Sequence, residues 1–79
     1  MSKLLDRITV KPDVCMGQPT IRGMRITVVF ILKLMASGMT HLEILEAYPE
    51  LEENDLRQVI EYAAWLASEY HYPLKIAVG

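Results

Sequence analysis

The chain has few of the residues that carry most enzyme chemistry. It contains one cysteine, Cys15, and two histidines among 79 residues. A single cysteine cannot form an internal disulfide, so the sequence predicts a reducing, cytoplasmic setting. The histidines and scattered carboxylates lack zinc-ligand spacing, and no histidine stands near Cys15 to activate it as a nucleophile. We therefore expect no enzyme activity, no catalytic residue, no metal, no cofactor and no small-molecule substrate.

Long apolar runs are also missing. The longest run covers residues 26–32, where Thr27 interrupts it and Lys33 follows it. A membrane-spanning helix needs about 20 apolar residues. The first seven residues lack the apolar core of a signal peptide. These features predict a cytoplasmic protein with no membrane partner.

The apolar content is high for so short a chain. It reaches 52%, whereas globular chains typically have about 45–50%. A small domain buries a modest share of its surface, so the excess favours a homodimer or another protein partner. We expect one domain over residues 1–79, divided into a β-arm (1–26), a three-helix core (27–72) and a C-terminal tail (73–79).

Charge is unevenly distributed along the chain. Residues 1–33 hold six basic and two acidic residues, whereas residues 34–79 hold two basic and eight acidic residues. The basic segment formed by residues 1–33 can bind an anionic partner such as DNA. The candidate DNA-binding or anion-binding residues are Lys3, Arg7, Lys11, Arg22 and Arg25.

Residues 17–26 combine two glycines, a proline and two arginines between short β-branched runs. This composition predicts an ordered turn, with short strands at residues 8–10 and 21–26. Arg22 and Arg25 then lie on a constrained backbone, from which a guanidinium can be aimed at an anion. They could equally fasten the loop to helix carbonyls or to Asp13, and the sequence leaves both interpretations open.

Three helices are predicted after the arm. Thr27 is a plausible N-cap for a helix over 28–37, and Thr40 with Glu43 forms a capping box for a second helix that ends before Pro49. A third helix should run from about residue 52 to about 71. A short helix, a tight connection and a longer helix form the outline of a helix-turn-helix.

The chemistry of the third helix does not suit DNA reading. Its start holds Glu52, Glu53 and Asp55, and carboxylates repel the phosphates whose neutralisation supports DNA affinity. Any DNA contact is therefore expected from the arm. Aromatic residues near the end of the third helix favour a protein interface or core. The candidate partner or dimer interface residues are Ile8, Val10, Ile21, Ile26, Tyr62, Trp65, Tyr70 and Tyr72.

An ordered series of short motifs resembles the family called domain of unknown function 433. It comprises residues 8–10, 14–19, 21–26, 37–40, 43–45, 48–51, 55–56 and 62–64. The resemblance implies a homeodomain-like three-helix domain with a short N-terminal β element. It also implies an antitoxin of a type II toxin–antitoxin pair, which silences a PIN-like nuclease and also binds its own promoter. The chain departs from the family pattern at Met16, Met24, Thr27 and Glu52.

These observations lead to one principal functional hypothesis. We expect a cytoplasmic, dimeric, mainly helical module that acts as an antitoxin against a co-encoded nuclease toxin. The basic residues of the arm are the candidates for an additional, regulatory contact with DNA. One alternative is a DNA-binding transcriptional regulator without a toxin. The other is a structural dimerising adaptor.

Overall fold

The computed structural model describes residues 5–69 of the chain. Its fold is mainly helical, with three helices preceded by a two-stranded antiparallel sheet, which confirms the fold class that the sequence predicts. The elements in chain order are β1 (Ile8–Thr9), β2 (Thr20–Ile21), α1 (Val28–Ala36), α2 (His41–Ala47) and α3 (Glu53–Glu69).

The sheet places β1 beside β2, with Ile8 opposite Ile21. The predicted second strand at residues 21–26 is wrong in position, because the chain reverses immediately after Ile21. Arg22 and Gly23 have φ values of 47° and 73°, and the Met24 N–H donates to the Ile21 carbonyl at 2.8 Å. Two central residues with positive φ form the tight turn that suits hairpins.

A second reversal lies between the strands, in a short left-handed turn at Cys15–Gly17. All three residues have positive φ, at 49°, 58° and 81°. The Gly17 N–H donates to the Val14 carbonyl at 3.1 Å and so closes the turn. Glycine adopts this conformation readily, whereas Cys15 and Met16 bring their Cβ atoms close to the following carbonyl.

Both predicted helix caps are confirmed. The Thr27 hydroxyl accepts a hydrogen bond from the Phe30 N–H at 3.1 Å and so caps α1. Thr40 and Glu43 form a reciprocal capping box at the start of α2. This box satisfies two backbone donors that the first turn of a helix leaves without partners.

Helix α3 begins without a serine or threonine cap. The Asp55 carboxylate instead accepts a hydrogen bond from the Glu52 N–H at 2.8 Å. This bond reproduces the backward half of a capping box, with the aspartate three residues after the cap position. The predicted helix end near residue 71 and the tail at 73–79 lie outside the described residues.

The core lies where all three helices meet the arm. Ile21 from β2 is buried with residues from each helix and from the connection between α2 and α3. The arm is therefore part of the folded core. The buried apolar residues are Ile21, Val28, Ile31, Ile44, Leu51, Leu56 and Val59.

Candidate functional site

A buried carboxylate joins the arm to the tip of α3. Asp55 is 0% exposed, and its Oδ1 atom accepts hydrogen bonds from Arg7 Nη1 at 3.0 Å and Arg22 Nε at 3.1 Å. Its Oδ2 atom accepts from Arg22 Nη2 at 2.9 Å. Arg22 Nη2 also donates to the Glu50 carbonyl at 2.7 Å, in the connection between α2 and α3. The two arginines thus fasten β1 and the arm turn to the helix-turn-helix.

Electrostatics keeps this carboxylate ionised. Burial by itself raises the pKa of Asp55, but hydrogen bonds from Arg22, the Glu52 N–H and Arg7 outweigh it and hold that pKa below its ordinary value. The pKa of Arg7 is raised, first by its hydrogen bond to Glu52 and then by the one to Asp55. Asp55, Arg7 and Arg22 are therefore charged at neutral pH. The buried charge of Asp55 is paired with both arginines.

The structure separates the five predicted DNA-binding residues. Arg7 and Arg22 are both engaged internally with Asp55. Of the two arginines for which the sequence left the fastening interpretation open, Arg22 follows it, with Asp55 rather than Asp13 as its carboxylate partner, and Arg25 does not among the described residues. Lys11 and Arg25 are exposed and form no ion pair with any residue between 5 and 69. Lys3 lies outside the described part of the chain.

An acidic surface lies beside this network, on α2 and the start of α3. His41 Nδ1 lies 3.1 Å from Glu53 Oε1, so the first residues of the two helices are neighbours. Arg57 is the one basic residue of α3, and it is exposed. We call the exposed glutamates of this region the acidic face; they are Glu43, Glu46, Glu50, Glu52 and Glu53.

An apolar groove lies between α1 and α3, on a different part of the surface. The cavity has a volume of about 200 Å³. Val29 on its α1 side is 48% exposed. Trp65 is 51% exposed and stacks on Tyr62, with ring centroids 6.0 Å apart. The residues that line this α1–α3 groove are Gln18, Pro19, Val28, Val29, Leu32, Tyr62 and Leu66.

The predicted interface residues also separate. Ile21 is 1% exposed and belongs to the core, which removes it from any partner surface. Ile8 and Ile26 are half-buried and pack against the same core. Val10 is exposed on the arm, whereas Tyr62 and Trp65 come together beside the α1–α3 groove. Tyr70 and Tyr72 lie outside the described residues.

Metal binding and membrane insertion each require a particular arrangement of side chains or helices. Within residues 5–69, no group of three or more histidine, cysteine, aspartate or glutamate side chains is arranged to hold a metal ion. No helix in this described part of the chain combines the length and apolar character needed to span a membrane.

The role of Asp55 escaped the sequence analysis. An acidic residue three positions after a helix start indicates a bond back to the cap, and this signal was available. The two arginines that neutralise Asp55 lie 48 and 33 residues earlier in the chain. No local spacing relates residues so far apart, so only the fold reveals the cluster.

Comparison with known proteins supports one family. The profile of the protein of unknown function family DUF433 matches residues 8–63. The crystal structure of a DUF433 member from Anabaena variabilis ATCC 29413 superposes with a TM-score of 0.75 at 31% identity, over 81% of this chain and 63% of that one.

A curated relative shows the same region inside a longer protein. The uncharacterized protein y4eO of Sinorhizobium fredii is 34% identical over 56 residues, which are 71% of this chain and 25% of that protein. The chain thus spans a quarter of the length of this relative. Because the family profile covers most of the chain and the three-helix fold agrees with a solved member, this chain belongs to the DUF433 family.

Proposed function

We propose that this chain is the antitoxin-like module of a type II toxin–antitoxin pair, acting in the cytoplasm. It binds a PIN-like nuclease toxin and prevents the toxin from reaching its nucleic acid substrate. The toxin class comes from the family resemblance. The orientation of charge on the helix-turn-helix is the observation that carries the choice of a protein partner over DNA.

A helix-turn-helix that reads DNA presents the start of its second helix to the major groove. Here that start contributes Glu52 and Glu53 to the acidic face, and its buried Asp55 is turned inward. Arg7 and Arg22 direct their guanidinium groups toward Asp55, and Arg7 also pairs with Glu52 at 2.6 Å. The other four glutamates of the acidic face form an ion pair with neither arginine. The surface that would approach a duplex is therefore acidic, and it would repel phosphates.

The same charge distribution suits a nuclease. A nuclease needs cationic side chains to hold the phosphates of its substrate. A surface of exposed carboxylates can meet those cations and compete with the substrate, and such charge complementarity also raises the rate of association. We therefore assign toxin contact to the acidic face, in which Glu46 and Glu50 are exposed.

The test is co-purification of this chain with the product of the adjacent reading frame. We expect a complex whose affinity falls as salt rises, because exposed charges are screened. Glu46→Lys should weaken the complex by about tenfold or more, since like charges placed opposite each other cost several kcal/mol. Growth of cells that co-express both proteins should fall in parallel.

Asp13→Lys is the matched control, because it makes the same change in net charge on the arm, where Asp13 is exposed and lies outside α2, α3 and their connection. It should leave the complex intact. Equal losses for Glu46→Lys and Asp13→Lys would contradict a role for the acidic face. Failure of wild-type chain to bind or neutralise the neighbouring product would contradict the antitoxin proposal itself.

The exposure of Lys11 and Arg25 favours a second candidate function, a DNA-binding regulator without a toxin. The Lys11 side chain lies across the arm turn, where a Cβ atom built on Gly23 would stand 3.3 Å from its Nζ atom. The arm thus carries two exposed cations that form no ion pair within residues 5–69. Strong, salt-dependent binding of the chain alone to its own promoter would favour this candidate.

A further inference from the structure

We infer that the α1–α3 groove binds a second copy of this chain, so that two copies form a homodimer around a twofold axis. This inference goes beyond the proposed function, because it concerns the chain alone and a different surface. The size of the groove and the side chains next to it point to this occupant, and the placement of charge permits it.

The size of the groove points to side chains as its occupants. Its volume is about 200 Å³, whereas sites for small molecules typically enclose about 300–1,000 Å³. The Gln18 amide and the Tyr62 hydroxyl are the polar side-chain groups among the lining residues. A groove of this kind offers few partners for the polar groups of a small ligand, but it can accept one or two apolar side chains from a protein.

The neighbouring side chains make the surface complementary to itself. Trp65 is half-exposed and stacks on Tyr62, which lines the groove, so a projecting ring stands next to a hollow. A twofold interface uses the same patch on both copies and therefore needs both features side by side. Val29 adds exposed apolar area on the opposite helix.

Charge placement does not oppose a second copy. No charged residue lines the groove, although the chain carries a net charge of −2. The glutamates of the acidic face lie on α2 and the start of α3, whereas Tyr62 and Leu66 belong to the later turns of α3. Two like-charged copies can therefore meet at the groove without bringing their acidic faces together.

The natural sequence supplies a reporter for the test. Trp65 is the sole tryptophan, so its fluorescence reports on this surface without a label. The molar mass of the full chain is measured by light scattering over a range of concentrations, and emission is recorded on the same samples. We expect the mass to rise from 9.0 kDa to twice that value, with a blue shift of the emission as the ring leaves water.

Two variants locate the interface. Val29→Lys places a charge at the groove and should weaken dimerisation by about tenfold or more, as expected for a central apolar contact. Leu42→Lys is the matched control, because Leu42 is 67% exposed on α2, outside the groove. It should leave the mass and the emission shift unchanged. Circular dichroism checks that both variants remain helical.

Three results would overturn the inference. A wild-type chain that stays at 9.0 kDa up to about millimolar concentration would exclude the dimer. A dimer whose formation leaves Trp65 emission unchanged would place the interface elsewhere. A monomer with blue-shifted emission at every concentration would mean that residues 70–79 of the same chain cover the ring.

Discussion

At the scale of single residues, two positions show opposite ways of accommodating a left-handed backbone. Arg22 has a φ of 47°, and its side chain gains three hydrogen bonds, to Asp55 and to the Glu50 carbonyl. Met16 has a φ of 58°, yet its side chain is 87% exposed. The cost of the left-handed conformation is thus offset at Arg22 and is not offset at Met16.

This contrast predicts that Met16→Gly stabilises the protein. Glycine removes the clash of Cβ with the following carbonyl, and part of that gain is lost to the greater freedom of glycine in the unfolded chain. We expect the free energy of unfolding to rise by about 0.5–1 kcal/mol, measured by urea denaturation. Met16→Ala is the control, because it removes the exposed side chain and keeps the Cβ atom, and it should change stability little.

A rise that is equal for Met16→Gly and Met16→Ala would show that the side chain, rather than the backbone, is the source of the effect. A fall for Met16→Gly would mean that the conformation carries no strain. Urea denaturation of wild type and Met16→Gly in the presence of the proposed nuclease partner tests whether the exposed Met16 side chain contributes to binding.

At the scale of elements, the main feature is the attachment of the arm to the N-terminal end of α3. The arm supplies Arg7 and Arg22, and α3 supplies Asp55 as a buried acceptor for both. Gln58 adds a contact further along α3, where its Oε1 atom accepts from the Arg7 N–H at 2.9 Å. These polar contacts, together with burial of Ile21, hold in place a two-stranded sheet that would be marginal alone.

Asp55→Asn tests this attachment. The substitution leaves two arginines without their carboxylate in a partly buried site, so we expect the free energy of unfolding at pH 7 to fall by about 3 kcal/mol. Urea denaturation of wild type and variant over a pH series measures the difference. Asp13→Asn on the exposed arm loop is the control, and it should change stability by less than about 0.5 kcal/mol.

The pKa of Asp55 sets the direction in which the free energy of unfolding changes with pH. The pKa of Asp55 is lower in the folded chain than in the unfolded chain, where it is about 3.9. Its ion pairs therefore contribute fully above about pH 4 and are lost as the pH falls from there through the folded-state pKa. The stability difference between wild type and Asp55→Asn should narrow in acid. A difference that stays constant down to pH 2 would contradict this account.

At the scale of the whole molecule, the charged surfaces and the uncharged groove involve different elements. The acidic face covers α2 and the start of α3, Lys11 and Arg25 are exposed on the arm, and the uncharged groove lies between α1 and the later part of α3. Such a division lets one small domain contact two partners at once. In the arrangement proposed here, one partner is a second copy and the other is a nuclease.

Dimerisation makes a prediction about thermal stability. Because association adds to the stability of the folded chain, the melting temperature should rise with protein concentration. For a domain of this size we expect about 3 °C or more for each tenfold increase, measured by circular dichroism. Val29→Lys should show this rise only at about tenfold higher concentrations or above, and a wild-type melting temperature without such dependence would contradict a dimer.

Much of the local structure could be predicted from short-range patterns. The capping box at Thr40 and the cap at Thr27 were both visible in the sequence, because a cap depends on residues within one helical turn. The second strand was misplaced, because the pair Arg22–Gly23 turns the chain earlier than the run of apolar residues indicates. A turn that requires positive φ at an arginine is hard to predict, since the contacts that stabilise it come from another element.

The sequence by itself determined the number of helices, the caps of α1 and α2, the helix-turn-helix outline and the acidic start of α3, since each depends on neighbours along the chain. Only the tertiary structure decided which cations remain available to a partner. The described part of the arm has four basic residues that the sequence does not distinguish. Arg7 and Arg22 pair with Asp55. Lys11 and Arg25 are exposed and form no ion pair within residues 5–69. The physical reason is that ion pairing acts through space, and the fold brings together charges that lie 33 and 48 residues apart.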